Sequence, residues 1–443
     1  MSADVETKGP PKLNWGFTFL IGFGFFGTSV MWALYNSYVP IFLQAGNPAF
    51  DEKLAVQTFG FGLSATLTGI IMTLDNVAAF FIQPIMGAIS DRTHTRIGRR
   101  MPYILTCAPI AVLAFGLIPI APLLIPVELN GQVEELTGLF TFFVAALGVM
   151  LLAMAVFRTP VIALMPDLTP SPLRSKANGV INLMGGVGGV MAFLAGAALY
   201  KIYRPLPFWV AGALTMIAVL ILFWKVKEPK DLIEASSREG VSVFRGLRDV
   251  PPESVRSLVL LILAIFFWFV GYNAVETFFS SYGVTTLGVS ESTATMILSA
   301  AYISFIAFAI PSGFIAGRFG RKRTIITGLV VFAILLAVAF FVPVVPVIIV
   351  LLAVGGLAWS LVNINSLPMV VDISPSEETL GTYTGLYYIA GTLAAVVGPI
   401  LNGWVIDMTG SNYNMIFVVT PAFFVLAILC MLGVTKGEAK EGR

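Results

Sequence analysis

Long apolar runs, separated by short polar segments, alternate along the whole chain. A helix needs about 20 consecutive apolar residues to cross the hydrocarbon core of a bilayer, and twelve runs approach or exceed that length. They cover residues 16–43, 62–89, 102–126, 138–165, 177–200, 206–225, 257–283, 291–316, 324–342, 346–370, 380–406 and 413–434. This pattern predicts an all-α membrane protein with twelve transmembrane helices.

The widest polar interval, from Lys225 to Arg256, divides the predicted helices into six and six. We therefore predict two six-helix bundles, joined by a cytoplasmic linker and flanked by two cytoplasmic tails. The predicted segments are the tail 1–14, the bundle 15–226, the linker 227–256, the bundle 257–434 and the tail 435–443.

Composition supports a lipid environment, because 57% of the 443 residues are hydrophobic and only 11% are charged. A soluble domain has about 25% charged residues, so this chain has too few to cover a water-facing surface. Cys107, Cys430 and the single His94 show neither a disulfide framework nor metal-ligand spacing. We expect no metal, no cofactor and no nucleic-acid partner.

Basic residues are distributed asymmetrically between the predicted loops. If the N-terminus is cytoplasmic, 22 of the 26 Lys and Arg residues lie in cytoplasmic loops and tails. The first apolar run, from Trp15 to Leu43, is too long for the core of a signal peptide, so we expect it to be retained. The sequence thus predicts a multi-pass membrane protein with both termini in the cytoplasm, most simply in a bacterial inner membrane.

The two predicted bundles repeat three short patterns in the same order. Tyr35-Asn36 in the first run corresponds to Tyr272-Asn273 in the seventh. The segment that begins at Asp167 corresponds to the one at Asp372, and the segment Gly87 to Arg100 corresponds to Gly313 to Arg323. A repeated six-helix unit places the substrate between the halves, near the membrane midplane.

The segment from Gly87 to Arg100 contains Asp91-Arg92 and Gly98-Arg99-Arg100. It resembles the signature between helices 2 and 3 of the major facilitator superfamily. A degenerate second copy runs from Gly317 to Arg323. The resemblance covers the whole chain and implies two pseudo-symmetric six-helix bundles, the major facilitator fold.

A narrower resemblance is to sucrose–proton symporters and, more distantly, to glycoside–pentoside–hexuronide cation symporters. It is carried by Gln83 to Gly87, by Gly98 to Tyr103, and by Arg158 to Asp167. The melibiose-type carriers have aspartates where this chain has Gln83 and Ala79, which favours protons over sodium as the coupling ion. The chain also departs from the plant sucrose–proton symporters. Those carriers have an aspartate in helix 4, whereas residues 147–157 of this chain contain none.

Three charged residues lie inside predicted spans, where insertion of each charged side chain into the bilayer costs about 2.5 kcal/mol or more. Asp75 lies in the second span, Arg158 in the fourth and Glu276 in the seventh. A carboxylate that gains and loses contact with an arginine would release and take up a proton, so these residues are candidates for proton coupling. The alternatives are a permanent structural contact for Asp75, simple solvation for Glu276, and snorkelling of Arg158 to the membrane surface.

Polar and aromatic residues suited to a sugar occur in six of the spans. Asn, Glu and Arg can bond to hydroxyl groups, whereas Trp and Tyr can stack on the apolar faces of a sugar. The assignment of these six helices to a cavity is implied by the family resemblance. The alternative is that the aromatic residues anchor the helices at the membrane interface and the asparagines bridge helices. The candidate substrate-binding residues are Tyr35, Asn36, Arg158, Asn182, Tyr272, Asn273, Glu276, Asn363 and Tyr387.

The charges of the loops are better suited to a cytoplasmic gate than to substrate binding. Asp91 would pair with an arginine or cap the helix that begins near Gly381, and such contacts would break as the gate opens. The alternative is that the arginines only fix the topology. The candidate gate residues are Gly87, Asp91, Arg92, Gly98, Arg99, Arg100, Asp167 and Asp372.

These features together predict a proton-coupled sugar symporter that works by alternating access on a disaccharide such as sucrose or maltose. The alternative is a proton-coupled exporter of drugs or metabolites, for which a greasier pocket would be expected. An intramembrane enzyme or a receptor would need a catalytic cluster, a metal motif or an ectodomain, and the sequence shows none of these. We expect a monomer, because one chain would hold a complete pathway.

Overall fold

A computed structural model describes residues 13–52, 54, 57–169, 173–228, 251–374 and 380–438, without the side chains of 174–176 and 380–381. The predicted tails lie mostly outside these ranges, as does the part of the predicted linker 227–256 that runs from 229 to 250.

Twelve helices in the described ranges are long and apolar enough to cross a membrane, which confirms the all-α twelve-helix prediction. They are α1 Trp15–Gln44, α2 Ala65–Asp91, α3 Met101–Leu117, α4 Thr137–Leu168, α5 Arg174–Ile202, α6 Leu206–Lys225, α7 Pro252–Thr285, α8 Glu291–Phe319, α9 Arg321–Phe341, α10 Val345–Val371, α11 Leu380–Met408 and α12 Ile416–Leu432. Shorter helical segments are Pro48–Asp51, Ile120–Leu123, Val127–Leu129 and Tyr413–Met415.

Successive helices run in opposite directions through the bundle. We call the side on which α1 begins and α12 ends the terminal side, and the other the distal side. Helices α1–α6 form one half and α7–α12 the other. Across the halves, α2 packs on α11, and α5 packs on α8.

Corresponding helices of the two halves begin with the same local structure. Ser64 precedes α2 and accepts a hydrogen bond from the Leu67 amide at 3.3 Å, and Ser290 precedes α8 and accepts one from Thr293 at 3.3 Å. A serine at this position satisfies an amide that the helix itself leaves without a partner. The internal repeat therefore extends to the capping of the helices.

Most helix ends lie within three residues of the sequence-based boundaries, and two differ by five or more. Helix α7 begins at Pro252, five residues before the predicted start at 257, because proline suits the first helical position and Glu253 the first turn. Helix α3 stops at Leu117 and continues only as the short helix Ile120–Leu123, since Pro119 interrupts it.

The halves come closest on the distal side, where two glycines face the opposite helix. A Cβ added at Gly69 of α2 would lie 2.5 Å from the Pro399 carbonyl oxygen. One added at Gly403 of α11 would lie 2.4 Å from the Ala65 carbonyl oxygen. The two helices therefore meet backbone to backbone, a packing that requires small residues.

Candidate functional site

A carboxylate lies at the contact between the two halves. Asn36 of α1 donates from Nδ2 to Glu276 Oε1 of α7 at 3.3 Å, and the Tyr302 hydroxyl of α8 donates to the same oxygen at 2.9 Å. All three side chains are partly buried. A group held from both halves is well placed to respond when the halves move relative to each other.

The two Tyr-Asn pairs of the internal repeat have different surroundings. Asn36 bridges the halves, whereas Asn273 donates to the Phe269 carbonyl of its own helix at 2.7 Å. Tyr35 is fully buried against Trp32, with ring centroids 5.2 Å apart. The shared sequence pattern thus accompanies two different roles.

Tyr272, the tyrosine of the second Tyr-Asn pair, belongs to a stacked aromatic group. The ring of Tyr272 lies flat on Trp359, with centroids 4.3 Å apart and an interplanar angle of 5°. Phe269 approaches Trp359 edge-on, at 5.7 Å between centroids. The stacking leaves Trp359 only 5% exposed, so Trp359 supports the partly buried ring of Tyr272 from behind.

The other two intramembrane charges lie in the first half. Asn76 donates to Asp75 Oδ1 at 2.8 Å, and the guanidinium carbon of Arg158 lies 6.0 Å from the centre of the Trp32 ring. Arg158 interacts electrostatically with Asp75 of α2 and with Tyr388 of α11, although no direct ion pair joins Arg158 to Asp75. A small movement could therefore bring the two charges together.

The remaining candidates lie nearer the terminal side. Asn182 is exposed and donates to the Asn178 carbonyl at 2.8 Å. The Tyr387 hydroxyl lies 3.2 Å from Ser366 Oγ, which donates to the Asn363 carbonyl at 2.8 Å. Ser366, a residue the sequence analysis did not single out, thus links the Tyr387 hydroxyl of α11 to the backbone of α10 at Asn363, and the Asn363 side chain takes no part in this link.

The charged loop residues pair within their own half on the terminal side. Asp167 accepts from Arg99 at 2.7 Å and from Arg100 at 2.9 Å, and Arg100 also contacts Asp91 and Ser90. In the second half, Arg321 contacts Asp372. Asp91 thus pairs with an arginine of its own loop.

Each half also has a glutamate that the sequence analysis missed. Glu228 accepts from the backbone amides of Arg99 and Arg100 at 2.9 and 3.0 Å, where α3 begins. Glu438 accepts from those of Arg321 and Lys322 at 2.7 and 3.0 Å, where α9 begins. The signal was the shared position of both glutamates a few residues after the last helix of each half.

The other gate candidates differ in their surroundings. Gly98 has φ +111°, which favours glycine, and it lies against Glu228. Arg92 is exposed at the end of α2, and Gly87 lies inside α2. Gly98 thus has a structural reason to be glycine.

Polar contacts between the halves continue on the distal side. Glu291 of α8 accepts from the Thr58 hydroxyl at 2.6 Å and lies 3.8 Å from Arg204. The Tyr413 hydroxyl donates to Gln44 at 2.6 Å. In this conformation the distal side is therefore held closed.

A bundle of two six-helix halves, with a charged cluster where the halves meet, defines a membrane transporter rather than an enzyme. The Major Facilitator Superfamily profile matches residues 15–303 and 284–443. The chain therefore belongs to the major facilitator superfamily.

Relatives include transporters of different substrates. The chain is 32% identical to the general alpha-glucoside permease of Schizosaccharomyces pombe over 34% of this chain and 27% of that protein. It is 24% identical to the isoprimeverose transporter of Lactiplantibacillus pentosus over 61% of this chain and 55% of that protein. It thus matches about half or less of the length of these two relatives.

A third relative is named for resistance to a drug and not for the transport of a sugar. The chain is 24% identical to the class C tetracycline resistance protein of Escherichia coli, over 83% of this chain and 87% of that protein.

Two solved structures support the fold. The nucleoside transporter NupG gives a TM-score of 0.68 at 14% identity and covers 95% of this chain and 100% of its own. The D-xylose–proton symporter gives 0.66 at 16% identity and covers 96% and 99%. Both confirm the major facilitator fold.

Proposed function

We propose that this protein is a secondary active transporter that works by alternating access and couples the symport of a sugar, a disaccharide such as sucrose or maltose, to protons. The observation that carries the proposal is the Glu276 carboxylate, held at the meeting point of the halves by Asn36 and Tyr302. A ligand bound there would contact both halves at once.

The chemistry around this carboxylate suits a sugar. Carboxylate, amide and phenol groups can pair with hydroxyls, and the partly buried ring of Tyr272, supported by Trp359, would provide an aromatic face. Arg158, close to Trp32, adds a fixed donor on the side of the first half. The names of the two glycoside-transporting relatives support the same substrate class.

Proton coupling would use the intramembrane carboxylates. Asp75 is near Arg158 without pairing with it, and both lie in the first half, so a shift of α2 relative to α4 would make or break that pair. An arginine beside a carboxylate favours its charged form, and loss of the arginine favours protonation. We propose Asp75, Arg158 and Glu276 as the coupling group.

The excess of basic residues in the terminal-side segments supports a cytoplasmic location for that side. We propose a bacterial inner membrane as its location, where the closed distal contacts would shut the pathway on the periplasmic side. We further propose that the terminal-side pairs of Asp91, Asp167 and Asp372 stiffen each half as it moves.

A second candidate function is proton-coupled export of a drug or metabolite. The chain matches the tetracycline resistance protein over 83% of its own length and 87% of that protein, more than it matches either glycoside transporter, and this favours the candidate. The polar lining at Glu276 favours a sugar over a lipophilic cation.

The test is uptake of radiolabelled sucrose and maltose into proteoliposomes, with and without an inward proton gradient. The wild type is compared with Asp75→Asn, and a protonophore serves as the control for coupling. We expect gradient-driven accumulation in the wild type and its loss in the variant, with sugar exchange retained.

Each other outcome has a clear meaning. Unchanged accumulation in Asp75→Asn would move the coupling role to Glu276. No uptake of either sugar under any gradient would refute the disaccharide proposal and favour the exporter.

A further inference from the structure

A carboxylate of one half caps a helix of the other half on the distal side. Asp407, in the last turn of α11, accepts from the Ala65 amide at 2.9 Å and from the Thr66 amide at 2.8 Å, one with each oxygen. The Thr66 hydroxyl also donates to it. These amides belong to the first turn of α2, more than 340 residues away in the chain.

The contact is of a strong kind. The first amides of a helix have no partner inside the helix, and the helix dipole adds partial positive charge at the same place. The cap residue Ser64 serves only Leu67, at 3.3 Å, so the amides of the first turn remain for Asp407. Hydrogen bonds from such amides to a carboxylate are roughly twice as strong as neutral ones.

The contact also depends on how the halves are arranged. Backbone amides cannot follow a departing carboxylate as a long side chain can, and Gly403 of α11 already touches the Ala65 backbone. Separation of α2 from α11 on this side therefore breaks all three hydrogen bonds together. The contact is either complete or absent.

The neighbouring contacts between the halves depend less strictly on how the halves are arranged. Arg204 and Glu291 are 3.8 Å apart, and the arginine side chain is 28% exposed, so it can keep its partner over some distance. The Tyr413–Gln44 hydrogen bond joins two neutral groups. Glu291 also accepts from the Thr58 hydroxyl at 2.6 Å, but this donor is a side chain that can rotate. Asp407 differs from these contacts because it pairs a charge with backbone amides, which are a rigid partner.

We propose that Asp407 is the positioning residue of a distal gate: its carboxylate caps α2 when the distal side is closed and is released when that side opens. The proposal rests on the alternating access of the proposed function. It assigns a role to a residue outside the central cluster, and this role does not depend on which substrate is carried.

The test measures the two sides separately by double electron–electron resonance in lipid nanodiscs, without substrate or gradient. Both native cysteines, Cys107 and Cys430, are replaced by alanine. Spin labels are placed at the exposed positions Glu134 and Val344 for the distal side, and at Lys225 and Arg323 for the terminal side. Asp407→Asn removes the charge and keeps the size of the side chain.

We expect Asp407→Asn to raise the ratio of distal-open to distal-closed molecules about tenfold. The distal distance should lengthen while the terminal-side distance shortens, an opposite change that a general loosening of the fold would not produce. Thr66→Ala removes one hydrogen bond of the three and should raise the same ratio about threefold.

The matched control is Asp51→Asn. This carboxylate also lies on the distal side and also accepts from a backbone amide, that of Gly46 at 3.0 Å, but within the same half. We expect it to leave both distances unchanged.

Unchanged distances in Asp407→Asn, or an equal change in Asp51→Asn, would overturn the proposal. If Asp407→Asn does not yield folded protein, unchanged distances in Thr66→Ala overturn it instead. Because no sugar or proton gradient is used, the result stands apart from the uptake assay, and a protein that carries neither sugar can still show the gate.

Discussion

The Asn36 carboxamide and the Glu276 carboxylate join the two halves of the transporter, with 3.3 Å between Nδ2 and Oε1. The residues are 240 positions apart and come from the first and seventh helices, which correspond in the repeat. Glu276 therefore depends on both halves for its hydrogen bonds, and a movement of either half changes its surroundings.

Replacement of Glu276 by glutamine should abolish accumulation of substrate against its gradient and retain exchange. Glutamine keeps an oxygen for Asn36 and Tyr302 but cannot carry a proton. We expect the accumulation ratio in proteoliposomes to fall to about one. Glu253→Gln is the control, because that glutamate is exposed in the first turn of the same helix, and its accumulation should match the wild type. Retained accumulation in Glu276→Gln would exclude this carboxylate from coupling.

Replacement of Arg158 by lysine should weaken substrate binding about tenfold, and replacement by alanine about a hundredfold. Lysine keeps the charge but loses the planar fork that binds hydroxyls and packs near the Trp32 ring. The measurement is the dissociation constant from binding of radiolabelled sugar to purified protein.

The matched control for Arg158 is Arg318→Lys. Arg318 also lies over an aromatic ring, that of Phe319 at 5.6 Å, but it is exposed at the end of α8. Its affinity should stay within twofold of the wild type. Equal losses in both variants would argue against a binding role for Arg158.

Replacement of Asp167 by asparagine should lower the free energy of unfolding by about 2–3 kcal/mol, because it weakens the pairing of two buried guanidinium groups. The side chains of Arg99 and Arg100 are only 9% and 5% exposed. The thermal midpoint in detergent, followed by tryptophan fluorescence, should drop by several degrees.

The corresponding change in the second half, Asp372→Asn, provides the comparison. Asp372 is 34% exposed and its partner Arg321 is 21% exposed, so water screens this pair more strongly. Its midpoint should fall by clearly less than that of Asp167→Asn. A larger fall in Asp372→Asn would contradict the argument from burial.

Replacement of Gly403 by alanine should slow transport at least tenfold, because the new methyl group would start 2.4 Å from the Ala65 carbonyl and push α2 away from α11. The measurement is the initial rate of uptake together with reaction of a distal-side cysteine with an impermeant thiol reagent, which should become faster. Gly148→Ala in α4 is the control, since a methyl group there meets no atom within 4 Å. A normal rate in Gly403→Ala would mean that the close approach is not needed in the cycle.

Much of the architecture could be predicted because hydropathy is a local property. The span lengths and the repeat at Tyr35-Asn36 and Tyr272-Asn273 need no knowledge of long-range contacts, and the twelve helices are confirmed. The sequence pattern places the start of α7 five residues after its actual start at Pro252, because polar residues in a first helical turn resemble a loop.

The site was harder to predict because it depends on how the halves meet. Tyr302 and Asp407 belong to no motif, and their partners lie in other helices, so a single sequence gives no sign of either contact. The repeat also suggested equal roles for Asn36 and Asn273, yet only Asn36 reaches across to the other half. The repeat preserves the position of a residue in its helix, whereas the contact that the residue makes depends on which side chain faces it.

The glutamates that follow the last helix of each half have a consequence for the covalent chain. Glu228 binds amides of the first half and Glu438 amides of the second, and the pairs of Asp167 and Asp372 likewise stay within their own halves. The segment that follows the last helix of each half is thus held by contacts within that half. A gene divided between codons 228 and 251 would therefore encode two fragments, each with its own ionic network, which we expect to assemble when produced together.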